Sequence, residues 1–217
     1  MPIRFGTSVE RGAEAGASFL SGIFEPLPYS MAGAFSLEVH MARTIFITGG
    51  AASGKSRFAE ELAQQFGAPL AYLATAQALD GEMAERITRH QDRRGKAWQT
   101  IEEPLHLPQS LAGNDGLHKA ILVDCITLWI TNLFLHYEEM GDDVEERIME
   151  NVHRLASTLR GLGTPVILVS NEVGQGIVPE NRMARLFRDI AGRANQILAA
   201  AADEAHVVIS GIPLRLK

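Results

Sequence analysis

One glycine-rich segment constrains the fold of this chain more than any other stretch, and it runs Gly49, Gly50, Ala51, Ala52, Ser53, Gly54, Lys55, Ser56. The apolar run 44–48 before it is rich in β-branched and aromatic residues, which predicts a short buried strand. After it, Phe58, Leu62 and Phe66 recur on one face of a predicted helix. The segment therefore has the spacing and the strand–loop–helix context of a phosphate-binding loop.

The residue types of this segment suit a triphosphate. Glycines let the backbone curl so that N–H groups point at phosphate oxygens, and the helix N-terminus adds a positive dipole. Lys55 would place its ammonium on the β- and γ-phosphates, and the Ser56 hydroxyl would ligate Mg²⁺. The alternative is a glycine-rich turn that happens to precede a helix. The fit at every position favours a loop that binds a nucleoside triphosphate.

Composition limits the class of protein. The 217 residues suit one domain with a sizeable core, at 46% hydrophobic and 21% charged residues. A net charge of −6 provides no basic field for nucleic acid or an anionic membrane. No apolar stretch approaches the roughly 18 residues of a membrane span. The single cysteine, Cys125, follows apolar residues and is predicted to be a reduced, buried thiol rather than a nucleophile. These features predict a cytoplasmic enzyme or binding protein.

Residues 1–42 differ from the rest of the chain because they have little hydrophobic periodicity. Met41 lies just before the first predicted strand, so translation could begin there. We predict a disordered or non-native extension over 1–42, the alternative being an ordered segment that packs on the core. Residues 43–217 form the predicted phosphate-loop domain.

The remainder alternates between apolar runs and helical patterns. Strands are predicted at 70–74, 98–102, 120–124, 166–169 and 207–210, and helices at 80–90, 126–137, 144–159 and 181–203. Solid apolar strands that alternate with helices predict an α/β fold, with a mostly parallel sheet covered by helices on both faces.

Asp124 ends a predicted strand after four apolar residues. In nucleotide-binding sheets a second acid at this position holds Mg²⁺ close to the phosphate loop. The alternative role is an N-cap for the helix that follows. The nearby phosphate loop favours the Mg²⁺ role.

A charged helical segment carries the next candidate. Arg86 and His90 are four residues apart and share a face, and Arg93 and Arg94 follow. Guanidinium groups disfavour an imidazolium, which keeps the histidine neutral and nucleophilic while the arginines attract phosphate. Such a histidine could attack an α-phosphate. From the residues alone, a solvated charged face with an incidental histidine is the stronger interpretation.

Asn171 and Glu172 follow the predicted strand 166–169, on the rim where ligands bind in such sheets. Glu172 could accept a proton from a substrate hydroxyl or hold a water of the metal. A capped turn is an equally good interpretation. Both residues are candidates for substrate binding or for the base.

Together these segments resemble the bifunctional adenosylcobinamide kinase / adenosylcobinamide-phosphate guanylyltransferase family of cobalamin biosynthesis. The resemblance spans about residues 43–217. Its most specific parts are Asn171-Glu172-Val173-Gly174 and Phe187-Arg188-Asp189-Ile190-Ala191-Gly192. One departure is Ala52, where the family often has an arginine; this removes one contact but leaves the cradle.

The resemblance implies two reactions on a corrinoid substrate. A nucleoside triphosphate first phosphorylates the aminopropanol hydroxyl of adenosylcobinamide. GTP then transfers GMP to an enzyme histidine, which falls at His90, and the GMP passes to the cobinamide phosphate to give adenosylcobinamide-GDP. The resemblance also implies Mg²⁺, with ATP and GTP as substrates, and a homo-oligomer, with a trimer as the default.

The implied catalytic residues are His90 and Lys55, and Ser56 and Asp124 are the implied metal ligands. The implied nucleotide contacts are Gly49 to Ser56, Ala74, Thr75, Ala76, Gln91, Asp92, Arg93, Arg94, Glu102 and Asp124.

Two other functions stay open at this point. A small-molecule kinase with the same loop would lack guanylyl transfer. A nucleotide-dependent regulatory module would bind without turnover, but no Asn-Lys-x-Asp run for a guanine base follows the strand 166–169.

Overall fold

A computed structural model describes residues 44–76, 95–141 and 143–217, apart from the side chain of Lys96. The strands are β1 (Thr44–Gly49), β2 (Leu70–Ala74), β3 (Trp98–Glu102), β4 (Ala120–Asp124), β5 (Val166–Val169), β6 (Glu204–Ile209) and β7 (Ile212–Arg215). The helices are α1 (Lys55–Gln64), α2 (Leu107–Gly113), α3 (Ile126–Met140), α4 (Val144–Gly161) and α5 (Arg182–Ala201), with a 3₁₀ turn at Gly95–Ala97.

The strands form one seven-stranded sheet in the order β3-β2-β4-β5-β1-β6-β7. All neighbours are parallel except β6 and β7. The predicted mostly parallel α/β sheet is therefore confirmed. Because β1 lies between β5 and β6, the phosphate loop leaves the sheet at an interior strand.

Helices cover both faces of the sheet, as predicted. On one face, α1 buries Ala59, Leu62 and Ala63 against alternate residues of the strands, such as Ile45 and Ile47. On the other face, α2 to α5 pack on Phe46 and Leu168 around the fully buried Trp129. Parallel strands buried on both faces need continuous apolar sequences, which is what these runs supply.

The carboxyl-terminal end of the sheet differs from its prediction. β6 begins at Glu204, three residues before the predicted start, and β7 lies outside it, so the predicted strand does not close the sheet. Glu204 and His206 interrupt the apolar pattern, yet both are buried, and Glu204 Oε2 and His206 Nε2 lie 3.2 Å apart. A tight turn at Ser210 and Gly211, both with positive φ, joins the two strands.

The helix α2 was not predicted. The extension 1–42 and the helix 80–90 lie outside the described residues and stay predictions. In the part of the chain that the structure describes, no helix is both long enough and apolar enough to cross a membrane.

Candidate functional site

The predicted phosphate loop lies between the end of β1 and the start of α1. Gly50 to Ala52 are exposed at its tip, and Ala52 adopts a left-handed conformation with φ 54°. Gly54 has φ 95° and is the residue before the helix, where a side chain would be strained. The Ser53 N–H donates to Gly50 O at 3.3 Å and closes the turn. This arrangement confirms the strand–loop–helix prediction.

The turn between β6 and β7 contacts the phosphate loop through the main chain. The Gly211 N–H donates to Ser53 O at 2.8 Å. A Cβ atom on Gly54 would lie 3.2 Å from Gly211 Cα, and one on Gly49 would lie 2.5 Å from Val208 O. The loop and the hairpin thus approach so closely that glycine is needed at the contact.

We expect Gly49→Ala to lower the free energy of unfolding by about 1–3 kcal/mol, because the new methyl group must displace main chain rather than a flexible side chain. Gly50→Ala is the matched control, since its Cβ meets no atom within 4 Å. Urea unfolding of both variants measures the difference. Equal stability of the two variants would contradict the close approach at Gly49.

Lys55 begins α1 and its side chain is only 8% exposed. Its Nζ atom donates to Gly50 O at 3.0 Å, so the ammonium lies across the loop. Ser56, the next residue, is half-buried in the first turn of the helix. The Lys55 ammonium thus lies at the loop, and the role of Ser56 as a metal ligand stays a prediction.

Glu172 lies beside the start of the same loop. Its N–H donates to Gly49 O at 3.0 Å, which continues the pairing of β5 with β1 beyond the strands. Its Oε2 accepts from Thr48 Oγ1 at 3.4 Å. Asn171 and Glu172 are both partly exposed. The structure thus brings the predicted acid to the phosphate loop, and it adds Thr48, which sequence reasoning had not assigned to the site.

Asp124 ends β4, which is two strands from β1 in the sheet. Its Oδ2 accepts from the Tyr72 hydroxyl at 3.1 Å, a contact that sequence reasoning missed. The N-cap residue of α3 is Cys125, so Asp124 does not occupy the capping position. The capping alternative for Asp124 is therefore wrong.

The pKa of the Cys125 thiol depends on its burial and on two charged groups. Burial raises the pKa of its thiol to about 12, the Asp124 carboxylate adds to the rise, and the Lys55 ammonium opposes it. Both charged groups are thus close enough to act on one sulfur atom. The thiol is protonated at neutral pH, which agrees with a buried cysteine that is not a nucleophile.

The other predicted contacts lie along the same carboxyl edge. Ala74 is paired with Glu102 on one side and with Asp124 on the other. Thr75 is fully buried, and its hydroxyl donates to Cys125 O at 2.7 Å and accepts from Cys125 N at 2.9 Å. Ala76 is partly exposed. The Thr75 side chain therefore anchors the strand ends rather than facing solvent.

Glu102 is exposed at the end of β3, four strands from β1. At about 4.8 Å per strand, this is roughly 19 Å from the phosphate loop. A nucleotide with phosphates on the loop would have to extend along the carboxyl edge to reach Glu102. His90, Gln91, Asp92, Arg93 and Arg94 lie outside the described residues, in the connection from β2 to β3.

Comparison with known proteins adds to this geometry. Residues 45–216 match the family described as "Cobinamide kinase / cobinamide phosphate guanyltransferase". The chain is 46% identical over 181 residues to the bifunctional adenosylcobalamin biosynthesis protein CobU of Salmonella typhimurium, covering 80% of this chain and 99% of that protein. It is 43% identical to the CobU protein of Escherichia coli, with the same coverage. Identity to the CobP protein of Pseudomonas aeruginosa is also 43%, over 79% of this chain and 95% of that protein.

Two solved structures that this chain resembles have low sequence identity to it. The flagellar accessory protein FlaH from Methanocaldococcus jannaschii has a TM-score of 0.46 at 16% identity, covering 81% of this chain and 78% of that one. The RadB recombinase has a TM-score of 0.42 at 15% identity, covering 76% and 73%.

Proposed function

The chain belongs to the cobinamide kinase / cobinamide phosphate guanyltransferase family. We propose which of its residues carry out the phosphoryl transfer and which carry out the guanylyl transfer. The observation that carries the proposal is the meeting of Lys55 and Glu172 at one phosphate loop. A cation and an acid at the same loop provide the two groups that phosphoryl transfer to a hydroxyl needs.

In the kinase step, the loop N–H groups and Lys55 hold the triphosphate and stabilise the charge that develops on the transferred γ-phosphoryl group. Glu172 accepts the proton of the aminopropanol hydroxyl of adenosylcobinamide as its oxygen forms the new P–O bond. The nucleoside diphosphate leaves. Asn171, on the same rim, contacts the substrate.

The donor set also fits Mg²⁺. Mg²⁺ is bound by one or two protein oxygens, with phosphate oxygens and waters completing its coordination. Ser56 at the start of α1 and Asp124 at the end of β4 provide a hydroxyl and a carboxylate, and the Tyr72 bond occupies only one carboxylate oxygen. No cluster of three or more His, Cys, Asp or Glu side chains that could hold a metal exists within residues 44–76, 95–141 and 143–217. The ion would neutralise phosphate charge when bound.

In the second step, His90 attacks the α-phosphorus of GTP. An N–P bond forms, the bond to the β-phosphate oxygen breaks, and pyrophosphate leaves. A phosphate oxygen of adenosylcobinamide phosphate then attacks the same phosphorus and releases the histidine. Ala74, Ala76 and Glu102 contact the nucleotide along the carboxyl edge, together with Gln91 to Arg94, and the buried Thr75 holds the strand ends behind them.

We also propose a homo-oligomer, with three copies, that works in the cytoplasm. Ile209, Ile212, Leu214 and Leu216 are each about half exposed or more, at the outer hairpin of the sheet. Apolar side chains grouped in this way are typical of subunit interfaces. Light scattering of the full chain should give three times 23.6 kDa, and the mass of one chain would contradict the proposal.

Sequential turnover tests the proposed function. Purified protein with Mg²⁺, ATP and adenosylcobinamide should form adenosylcobinamide phosphate, and addition of GTP should convert it to adenosylcobinamide-GDP. Phosphorylation without the second product would indicate a small-molecule kinase. Nucleotide binding without either product would indicate a regulatory module.

A further inference from the structure

Three buried polar side chains from separate elements meet beneath the loop that carries Glu172. Thr127 belongs to α3, Ser170 follows β5, and Asn195 belongs to α5. Their exposed fractions are 7%, 1% and 8%. Burying polar groups is unfavourable unless each is hydrogen-bonded, so the partners of these side chains indicate why they are there.

The three side chains close a ring of hydrogen bonds on the main chain of Asn171. The Asn171 N–H donates to Thr127 Oγ1 at 2.7 Å, and Asn195 Nδ2 donates to Asn171 O at 3.2 Å. Ser170 Oγ donates to Asn195 Oδ1 at 2.6 Å, and Thr127 Oγ1 and Ser170 Oγ lie 3.3 Å apart.

The proton directions in this ring follow from counting hydrogens. Ser170 has one hydroxyl proton and gives it to Asn195, so Thr127 must be the donor in its bond with Ser170. Every bond then runs head to tail, from the Asn171 N–H through both hydroxyls and the amide back to the Asn171 carbonyl. Bonds arranged in this way strengthen one another. We call these four bonds the Asn171 ring.

The Asn171 ring supplies hydrogen-bond partners to the main chain beyond the end of β4. Ser170 N and Glu172 N both donate to the β1 side, to Ile47 O and Gly49 O. The Asn171 N–H and carbonyl therefore face the opposite side, where β4 stops at Asp124, opposite Val169. Without the ring, both main-chain groups of Asn171 would lose their buried partners. With it, the backbone directly before Glu172 is held on both sides.

We propose that Thr127, Ser170 and Asn195 are positioning residues for phosphoryl transfer, which hold Glu172 against the phosphate loop through the main chain of Asn171. The proposal rests on the proposed role of Glu172 as the acceptor of the hydroxyl proton. None of the three side chains touches the reacting atoms in this scheme.

Two substitutions at one position test the ring. Thr127→Val keeps the shape of the side chain and removes both hydrogen bonds, whereas Thr127→Ser keeps the hydroxyl and removes the methyl group. We expect Thr127→Val to lower kcat for phosphorylation by about 10- to 100-fold, because displacing a catalytic group by about 1 Å has an effect of this size. We expect Thr127→Ser to stay within about threefold of the unsubstituted protein, with the Kd of the nucleotide similar in both variants.

Guanylyl transfer separates positioning from loss of structure. Covalent labelling with α-labelled GTP does not use Glu172, so Thr127→Val should label at a rate within about threefold of the unsubstituted protein. A proportional fall in both reactions, or equal losses in Thr127→Val and Thr127→Ser, would reduce the ring to a structural role. An unchanged kcat in Thr127→Val would overturn the proposal outright. If Thr127→Val does not fold, Ser170→Ala opens the same ring with a smaller side chain and is judged by the same two reactions.

Glu172→Gln distinguishes this proposal from the role of Glu172 itself. If the ring acts through Glu172, Thr127→Val should have no further effect on phosphorylation in the Glu172→Gln background. Full kinase activity of Glu172→Gln would contradict the proposed base. A loss in Thr127→Val that remains undiminished in the double variant would show that the ring does not act through Glu172.

Discussion

Replacing Lys55 with methionine is expected to lower kcat for cobinamide phosphorylation by at least about a hundredfold, the effect of losing one charged group that stabilises the transition state. The Lys55 ammonium lies across the loop at 3.0 Å from Gly50 O, where the phosphates would be held. Methionine preserves a long unbranched stem, so the buried part of the side chain keeps its packing. Steady-state kinetics with ATP and adenosylcobinamide measure the loss.

Arg57→Met is the matched control, because it removes one positive charge from the same helix two residues later. The Arg57 side chain is 65% exposed and pairs with Glu61 across one turn at 3.7 Å, an exposed pair of little energetic value. We expect it to retain kinase activity. Near-normal phosphorylation by Lys55→Met, or an equal loss in both variants, would contradict the assigned role of Lys55.

His90→Ala is expected to lower guanylyl transfer to below about one thousandth of the normal rate, the scale of effect seen when a covalent nucleophile is removed. Phosphorylation should persist, because the loop and Lys55 are unchanged. Intact-mass spectrometry after incubation with GTP and Mg²⁺ should find one added GMP on the unsubstituted protein and none on this variant.

His153 provides the control for the guanylylated histidine. It is exposed on α4, so His153→Ala should still acquire one GMP. A GMP adduct on His90→Ala, or loss of the adduct in both variants, would contradict His90 as the nucleophile. Peptide mapping of the adduct then locates the modified residue directly.

Local sequence patterns predicted four of the strands well. β2, β3, β4 and β5 have their predicted bounds, and Pro69, Lys119 and Pro165 directly precede the apolar runs of β2, β4 and β5. The phosphate loop was also predictable, because its chemistry depends on eight adjacent residues.

Two elements, α2 and β7, were not predicted because their local sequence signals are weak. The helix α2 has seven residues, and its main signals are Leu107 and Leu111, four apart, with Pro108 in the first turn. β7 is short and half exposed, and it follows a strand whose Glu204 and His206 resemble loop residues. His206 also packs edge-on against Phe58 of α1, with ring centroids 5.5 Å apart, and no single-strand pattern reveals this contact.

The candidate site was predictable only in part, because some of its contacts join distant residues. Thr127, Ser170 and Asn195 are separated by 43 and 25 positions, and each is an ordinary polar residue in its own segment. The bond from Tyr72 to Asp124 spans 52 positions. The strand order places β2 next to β4 and β4 next to β5, and the packing of α3 and α5 on one face of the sheet completes these contacts.

The interior place of β1 also affects the order of events during synthesis. β1 and its loop leave the ribosome well before their two neighbours, β5 and β6, which begin at Val166 and Glu204. The nascent chain must therefore wait for more than a hundred residues before β1 acquires either neighbour, and for Gly211 before the turn beneath the loop can form. Assembly of this site therefore depends on pairing across long sequence separations, which is the slow kind of folding step.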